Sequence, residues 1–133
     1  MKLFIAIVVL AFVAAAHSLS DEQKRKLIAN HKICLPLSLV DEELVTKMRA
    51  GEFTNDEKLK EYIRCMFVKI GFMNEGDDVL LDAIKAKISD DVDRTEAEKV
   101  IETCKDKRGS TGRETAYLIY KCYRNHAVTP VVL

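Results

Sequence analysis

The sequence predicts an all-α domain of six short helices joined by two disulfide bonds. Apolar residues recur at intervals of three and four, and capping residues and glycines mark the ends of each segment. No stretch alternates with a period of two for long enough to predict a strand. The chain of 133 residues carries four cysteines, which supply the disulfides: Cys34, Cys65, Cys104 and Cys122.

Residues 1–16 are predicted to be a secretory signal peptide and not part of the fold. Lys2 gives a basic start, residues 3–13 form an apolar run, and three alanines at 14–16 are typical of a cleavage site. The run is too short to cross about 30 Å of hydrocarbon comfortably, which disfavours a membrane anchor. We therefore expect residues 17–133 to form one secreted, extracellular domain.

The charge balance excludes several classes of partner. Lys and Arg total 21, as do Asp and Glu, so the formal net charge is zero. A neutral chain without a basic stretch is not expected to bind nucleic acid or to insert stably into a membrane. Secretion makes disulfides the default state of the cysteines, and four cysteines allow three pairings that the sequence alone does not separate.

The best-marked helix is the third, over residues 59–72. Thr54 and Glu57 form a capping-box pattern before it, and Gly71 is a natural stop because glycine adopts the left-handed conformation without a Cβ penalty. It contains Cys65, so one disulfide is predicted to leave from it. Its apolar stripe is Leu59, Ile63, Met66, Phe67 and Ile70.

The first two helices are predicted from their boundaries. Ser20 caps the first, and Pro36 is expected to end it because proline disfavours helix at the preceding residue. Asp41 opens the second, which Gly51 stops. The residues expected to face the core are Leu27, Ile28 and Ile33 in the first helix, and Leu44, Val45 and Met48 in the second.

The last three helices are predicted to open at acidic or hydroxyl residues. Asp77 and Asp78 precede the fourth, whose apolar face includes Ile88, and Thr95 opens the fifth with a capping box. Thr111 opens the sixth, directly after the stop at Gly109.

Catalysis is not predicted, and neither is a cofactor. Disulfide-bonded cysteines supply no thiolate nucleophile, no serine lies in a sharp glycine-flanked turn, and the acidic residues cluster at helix starts, where capping explains them. Zinc is an alternative, because His31 with Cys34 and Cys122 with His126 each offer two ligands. Secretion favours two disulfides beside two surface histidines, so no metal is expected.

The cysteine spacing resembles that of the insect odorant-binding proteins, the pheromone and general odorant-binding family. That family has six cysteines, and the four present here match its first, third, fourth and sixth. Counting back from Cys65 and Cys122 by the family's spacing places the two missing cysteines at Glu61 and Arg113. The central helix and the segment around Tyr117 are also similar to the family's local patterns. The chain therefore resembles the four-cysteine Minus-C subclass.

The resemblance implies a pairing of Cys34 with Cys65 and of Cys104 with Cys122. It also implies an apolar cavity that carries a small hydrophobic ligand, an odorant, pheromone or similar lipid-like molecule, through extracellular fluid, with an olfactory receptor as a further partner. The tyrosines would offer a hydroxyl to a polar ligand group. The expected lining is Leu27, Met48, Ile63, Phe67, Phe72, Leu80, Ile84, Val100, Ile101, Tyr117, Leu118, Ile119 and Tyr120.

Three hypotheses follow from the resemblance. Glu61 and Arg113 carry opposite charges where the family has a disulfide, so they are predicted to form an ion pair, against the alternative of two unrelated solvated side chains. The apolar tail at 128–133 is predicted to fold over or into the cavity, against plain disorder. The competing function is a structural or interaction protein of haemolymph or a reproductive secretion, without a transported ligand.

Overall fold

The computed structural model describes residues 20–87, 93–127 and 132–133, and its described part is helical. Within these ranges the sole extended pairing is an isolated antiparallel bridge between Met73 and Val79. The prediction of an all-α domain with six helices is confirmed, whereas the predictions for residues 1–16 and Ile88 lie outside the described residues. The helices are α1 Asp21–Ser38, α2 Glu42–Arg49, α3 Glu57–Ile70, α4 Leu81–Ala86, α5 Arg94–Cys104 and α6 Gly112–His126.

Helix α3 lies at the centre of the domain. It packs against α1 and α6, and α5 packs against the other part of α6. Burial of the predicted stripe explains this position, because Leu59, Ile63 and Met66 are fully buried and Phe67 is nearly so. A stripe of this kind is what holds a short helix in water, since isolated helices of this length are marginal.

Two disulfides tie neighbouring helices together. Cys34 of α1 is bonded to Cys65 of α3, and Cys104 of α5 is bonded to Cys122 of α6. This is the pairing that the resemblance implies. Each bridge stabilises the fold by roughly 3–4 kcal/mol on the chain-entropy model. All four cysteines are used, so the interface between α3 and α6 has no covalent link of its own.

Local signals located several helix ends correctly. Ser20 forms a full capping box with Gln23, and the Thr111 side chain accepts from the backbone N–H of Glu114. The Asp41 side chain caps α2 by accepting from the backbone N–H of Glu43, as its position before the acidic first turn predicts. Gly71 ends α3 in the left-handed conformation, with φ 94°, as the sequence predicts.

Three predicted helix starts are wrong, two of them because another residue accepts from the free N–H groups. Asp56, not Thr54, caps α3 by accepting from the N–H of Leu59. Asp93, not Thr95, caps α5. Helix α4 begins at Leu81 with no side-chain cap.

Asp77 and Asp78 do not open α4 because they belong to the preceding turn. The Asp78 N–H donates to Asn74 Oδ1 at 2.9 Å, and Asp77 adopts φ 68°. The Asp77 carboxylate packs against Gly112, where a Cβ would overlap it. These contacts hold the turn between α3 and α4 against the start of α6.

Helix α1 also departs from its prediction, because Pro36 lies inside its last turn. Proline lacks one N–H, so only one intrahelical bond is lost. The turn is held by the adjacent disulfide at Cys34 and by Ser38, whose hydroxyl donates to the Leu35 carbonyl at 3.1 Å. The expected inward face is wrong in part, since Ile28 and Ile33 are 56% and 43% exposed.

Candidate ligand-binding site

The residues predicted to line a cavity are spread over several parts of the fold, and their role in binding stays a prediction. The main core holds Met48, Ile63, Phe67, Tyr117, Ile119 and Tyr120. Leu27, Phe72 and Leu118 are half-buried at its edge. Leu80, Ile84 and Ile101 are also half-buried, whereas Val100 packs in a second cluster with the Cys104–Cys122 disulfide.

Aromatic rings form the centre of the main cluster. Phe67 contacts Phe72 and Tyr120 edge to face, with ring centroids 5.7 and 6.4 Å apart. Phe53, which sequence reasoning missed, contacts Tyr117 and Tyr120 in the same way at 6.0 and 5.7 Å. It lies in the loop between α2 and α3, where no helical periodicity marks it. Such pairs add to the stability gained by burial alone.

A groove of about 340 Å³ opens beside this core, between α1, the end of α2 and residues 132–133. Its volume lies in the range of small-molecule sites, roughly 300–1,000 Å³. Of the predicted lining residues it includes only Leu27. The full set of lining residues is Lys24, Leu27, Ile28, His31, Arg49, Val132 and Leu133.

Leu133 forms the inner wall of the groove. Its side chain is 7% exposed in the main core cluster, and its N–H donates to the Tyr120 hydroxyl at 3.1 Å. The Arg49 Nε donates to the main-chain oxygen of Leu133 at 2.8 Å. The last residue thus packs on the core, while the rest of the predicted tail, residues 128–131, lies outside the described residues.

The polar groups of the groove form a chain into the protein. The His31 Nδ1 lies 3.3 Å from Arg49 Nη2 and 2.8 Å from the Tyr62 hydroxyl. Burial lowers the pKa of His31, and the Arg49 charge lowers it further, whereas Glu42 opposes both effects. Burial raises the pKa of the Tyr62 phenol against the opposing charge of Arg49. Burial is thus the main cause of both pKa shifts, and the Arg49 charge is the second.

Arg124 of α6 lies directly behind Arg49. Its Nη2 donates to the Arg49 main-chain oxygen at 3.0 Å. Its Nε and Nη1 are buried and have no hydrogen-bond partner in the described structure. Burial raises the pKa of the neighbouring Tyr120 phenol, and the Arg124 charge opposes that shift. Neither arginine forms an ion pair with an Asp or Glu side chain within the described ranges.

The predicted Glu61–Arg113 ion pair is wrong in its partners. Arg113 Nε pairs with Glu57, one helical turn before Glu61, at 3.0 Å, whereas Glu61 pairs with Arg64 at 3.6 Å. Glu61 is drawn to its own helix because Arg64, three residues on, lies within reach.

Four charged residues join α3 to α6 instead, and we call them the Lys60 cluster: Glu57, Lys60, Arg113 and Glu114. The Lys60 side chain is only 6% exposed, and its Nζ contacts Glu114 at 2.7 Å and Glu57 at 3.2 Å. The hydrogen bond to Glu114 is the largest cause of the raised pKa of Lys60. The same Nζ lies 5.2 Å from the Tyr117 ring centroid, within cation–π range.

The histidines considered as zinc ligands have other contacts. Cys104, Cys122 and His126 bring their ligand atoms within 4.8 Å of one another, but the two sulfurs form a disulfide. The His126 Nδ1 lies 2.8 Å from the Cys122 carbonyl oxygen. Cys34, the partner considered for His31, is likewise bonded to Cys65. A disulfide sulfur is not the thiolate that zinc binds.

In the part of the chain that the structure describes, none of the helices has the length and apolar character needed to cross a membrane. This finding covers the described ranges alone.

The sequence and the fold of this chain are similar to those of insect odorant-binding proteins. Odorant-binding protein 10 of Aedes aegypti is 29% identical over 123 residues, which cover 90% of this chain and 87% of the relative. The structure of odorant-binding protein 7 of Anopheles gambiae, with four disulfide bridges and an azo compound, is 30% identical and gives a TM-score of 0.69. The match covers 80% of this chain and 87% of that one.

A second solved structure, the fatty acid binding protein OBP56a from the oral disk of the blowfly Phormia regina, is 26% identical with a TM-score of 0.66. It covers 81% of this chain and 94% of that one. The family model of the PBP/GOBP family matches residues 16–126. With two disulfides from four cysteines, as in the Minus-C subclass, this chain belongs to the PBP/GOBP family of insect odorant-binding proteins.

Proposed function

We propose that this protein is a secreted carrier that binds a small hydrophobic ligand and transports it through extracellular fluid. The observation that carries the proposal is the groove of about 340 Å³ beside the aromatic core, with Leu27, Ile28 and Val132 among its walls. Two similar proteins support it, because the Anopheles gambiae structure is a complex with an azo compound and the Phormia regina protein is a fatty acid binding protein. The predicted signal peptide at residues 1–16 supports secretion of the domain at 17–133.

The expected affinity follows from apolar burial. A ligand that loses about 300 Å² of apolar surface gains roughly 7 kcal/mol before the entropy costs of binding. Micromolar dissociation constants correspond to about 8 kcal/mol after those costs, so binding at this level needs a larger buried apolar area or polar contacts in addition. If the groove extends inward on binding, core residues predicted from the sequence would line its deeper part, Phe67 and Tyr120 among them.

A fluorescent apolar probe tests the proposal. We expect saturable uptake of N-phenyl-1-naphthylamine by the purified, oxidised protein, and its displacement by medium-chain volatiles or fatty acids. Absence of uptake would refute carriage and favour the alternative, an interaction protein of haemolymph or a reproductive secretion. An olfactory receptor as partner belongs to the same proposal, and expression in antennae is the observation that would support it.

A further inference from the structure

Three apolar side chains lie exposed where α1 ends, and we call them the apolar corner: Ile33, Leu37 and Leu39. They are 43%, 69% and 73% exposed, and they are three of the five large hydrophobic residues that are exposed in the described chain. Ile33 and Leu37 lie one helical turn apart, so they share one face of α1. Exposed apolar side chains that cluster, unlike single ones, indicate an interaction site.

Leu39 is also held in a backbone conformation that leucine disfavours. It is the C-cap of α1 with φ 58°, in the left-handed region where glycine or asparagine is usual and a bulky side chain is strained. The neighbouring Ser38 and Val40 are buried, whereas Leu39 is not. The monomer therefore gains no burial from a leucine at this position, and the strain calls for a role outside the monomer.

A small cleft opens beside the apolar corner, between the end of α1 and the second half of α3. Its volume is about 160 Å³, below the roughly 300–1,000 Å³ of small-molecule sites, so it suits one inserted side chain and not a carried ligand. Leu37, Cys65 and Val68 supply its apolar wall. The Cys34–Cys65 disulfide joins the two helices here, so the cleft is already formed in the monomer and need not be ordered on association.

Charged residues of both signs lie around the cleft. Glu61 and Arg64 pair with each other at 3.6 Å, whereas Lys69 and Glu75 are exposed. A partner with one predominant charge would meet a like charge here, which disfavours it. A second copy of the chain carries the same two exposed charges, and a twofold axis would bring Lys69 of each protomer to Glu75 of the other.

We infer that two copies of this chain associate about a twofold axis through the apolar corner, with Leu39 of each protomer inserted into the cleft of the other. A projecting leucine and a recess that lie side by side on one surface are self-complementary, which is what a closed dimer requires. The contact is small, so the dimer is weak, with a dissociation constant on the order of 100 µM.

The groove stays open in this dimer. Ile28 lines the groove and Leu37 lines the cleft, and the two residues are nine positions apart on α1. Nine residues make two and a half turns at about 3.6 residues per turn, so the two side chains lie on opposite sides of the helix. Association is therefore independent of the proposed function, and carriage does not require it.

Sedimentation equilibrium of the oxidised protein tests the inference. We expect the average mass of the wild type to rise towards that of a dimer between about 10 µM and about 1 mM. Leu39→Gly should weaken association at least about tenfold and keep or raise the urea midpoint, because glycine adopts the left-handed conformation without strain. Ile28→Asn, at an exposed apolar position on the opposite side of α1, is the matched control and should associate like the wild type. A wild type that stays monomeric, or a Leu39→Gly variant that associates equally well, would overturn the inference and leave the apolar corner to a partner of other chemistry.

Charge reversal then tests whether the partner is a second copy. Lys69→Glu and Glu75→Lys should each weaken self-association about fivefold, because each places like charges opposite one another across the axis. An equimolar mixture of the two variants should recover the wild-type dissociation constant, since both cross-axis pairs are then opposite in sign. A mixture that associates no better than either variant alone would overturn the twofold arrangement.

Discussion

Replacement of Lys60 by Met tests whether the Lys60 cluster holds α3 against α6. Met keeps an apolar stem of similar length but removes the charge that contacts Glu57, Glu114 and the Tyr117 ring. The Glu114 and Glu57 side chains are 30% and 61% exposed, so water can partly rehydrate them once Lys60 is gone. The cost therefore lies between that of an exposed pair, below about 1 kcal/mol, and that of a broken buried pair, about 3–5 kcal/mol.

We expect Lys60→Met to lower the free energy of unfolding by about 2 kcal/mol, which is about 1 M in the urea midpoint. Urea is the denaturant of choice because guanidinium chloride would itself screen the cluster. Lys58→Met, at an exposed position of the same helix, is the matched control and should change stability by less than about 0.5 kcal/mol. A double-mutant cycle with Glu114→Gln should return a coupling of about 1 kcal/mol. If Lys60→Met behaves like Lys58→Met, the cluster contributes nothing and the reasoning fails.

Two further predictions concern a histidine and a disulfide. The folded state lowers the pKa of His31 from 6.5, so its contribution to stability is present above that pH and is lost as the pH falls. His31→Gln should therefore reduce the fall in the urea midpoint as the pH drops from about 7 to 5. If the midpoint falls with pH as steeply as in the wild type, the lowered pKa of His31 is contradicted. Replacement of Cys104 and Cys122 by Ala should cost about 3 kcal/mol on the chain-entropy model, measured by urea denaturation of the oxidised proteins. A decrease in the free energy of unfolding below about 1 kcal/mol would mean that packing alone holds α5 against α6.

The helices were predictable because their signals are local. Ser20, Thr111 and Gly71 each act within four residues, and the structure uses all three as predicted. Pro36 shows the limit of such rules, since a disulfide and the Ser38 hydroxyl hold a turn that proline disfavours. Thr54 failed for a related reason, because Asp56 offers a better-placed acceptor two residues later.

The candidate site was far less predictable, because its parts come from three distant stretches of sequence. Lys24 and Arg49 read as ordinary charges on helix ends, and nothing local brings them beside Leu133. Periodicity placed Ile28 in the core, although the structure leaves it as an exposed wall of the groove. A stripe pattern gives the face of a helix, and only the packing of α1 against α3 shows which part of that face is covered.

The groove and the Lys60 cluster lie towards opposite ends of α6, so they should act independently. Arg113 and Arg124 are separated by eleven residues on this helix, or about 16 Å along its axis. Changes farther apart than about 7–10 Å with no shared partner are additive. A ligand at a hundred times its dissociation constant should add about 2.7 kcal/mol to the stability of the wild type and of Lys60→Met alike. A smaller increment in the variant would mean that the charges joining α3 to α6 also hold the groove in its binding shape, which the geometry does not predict.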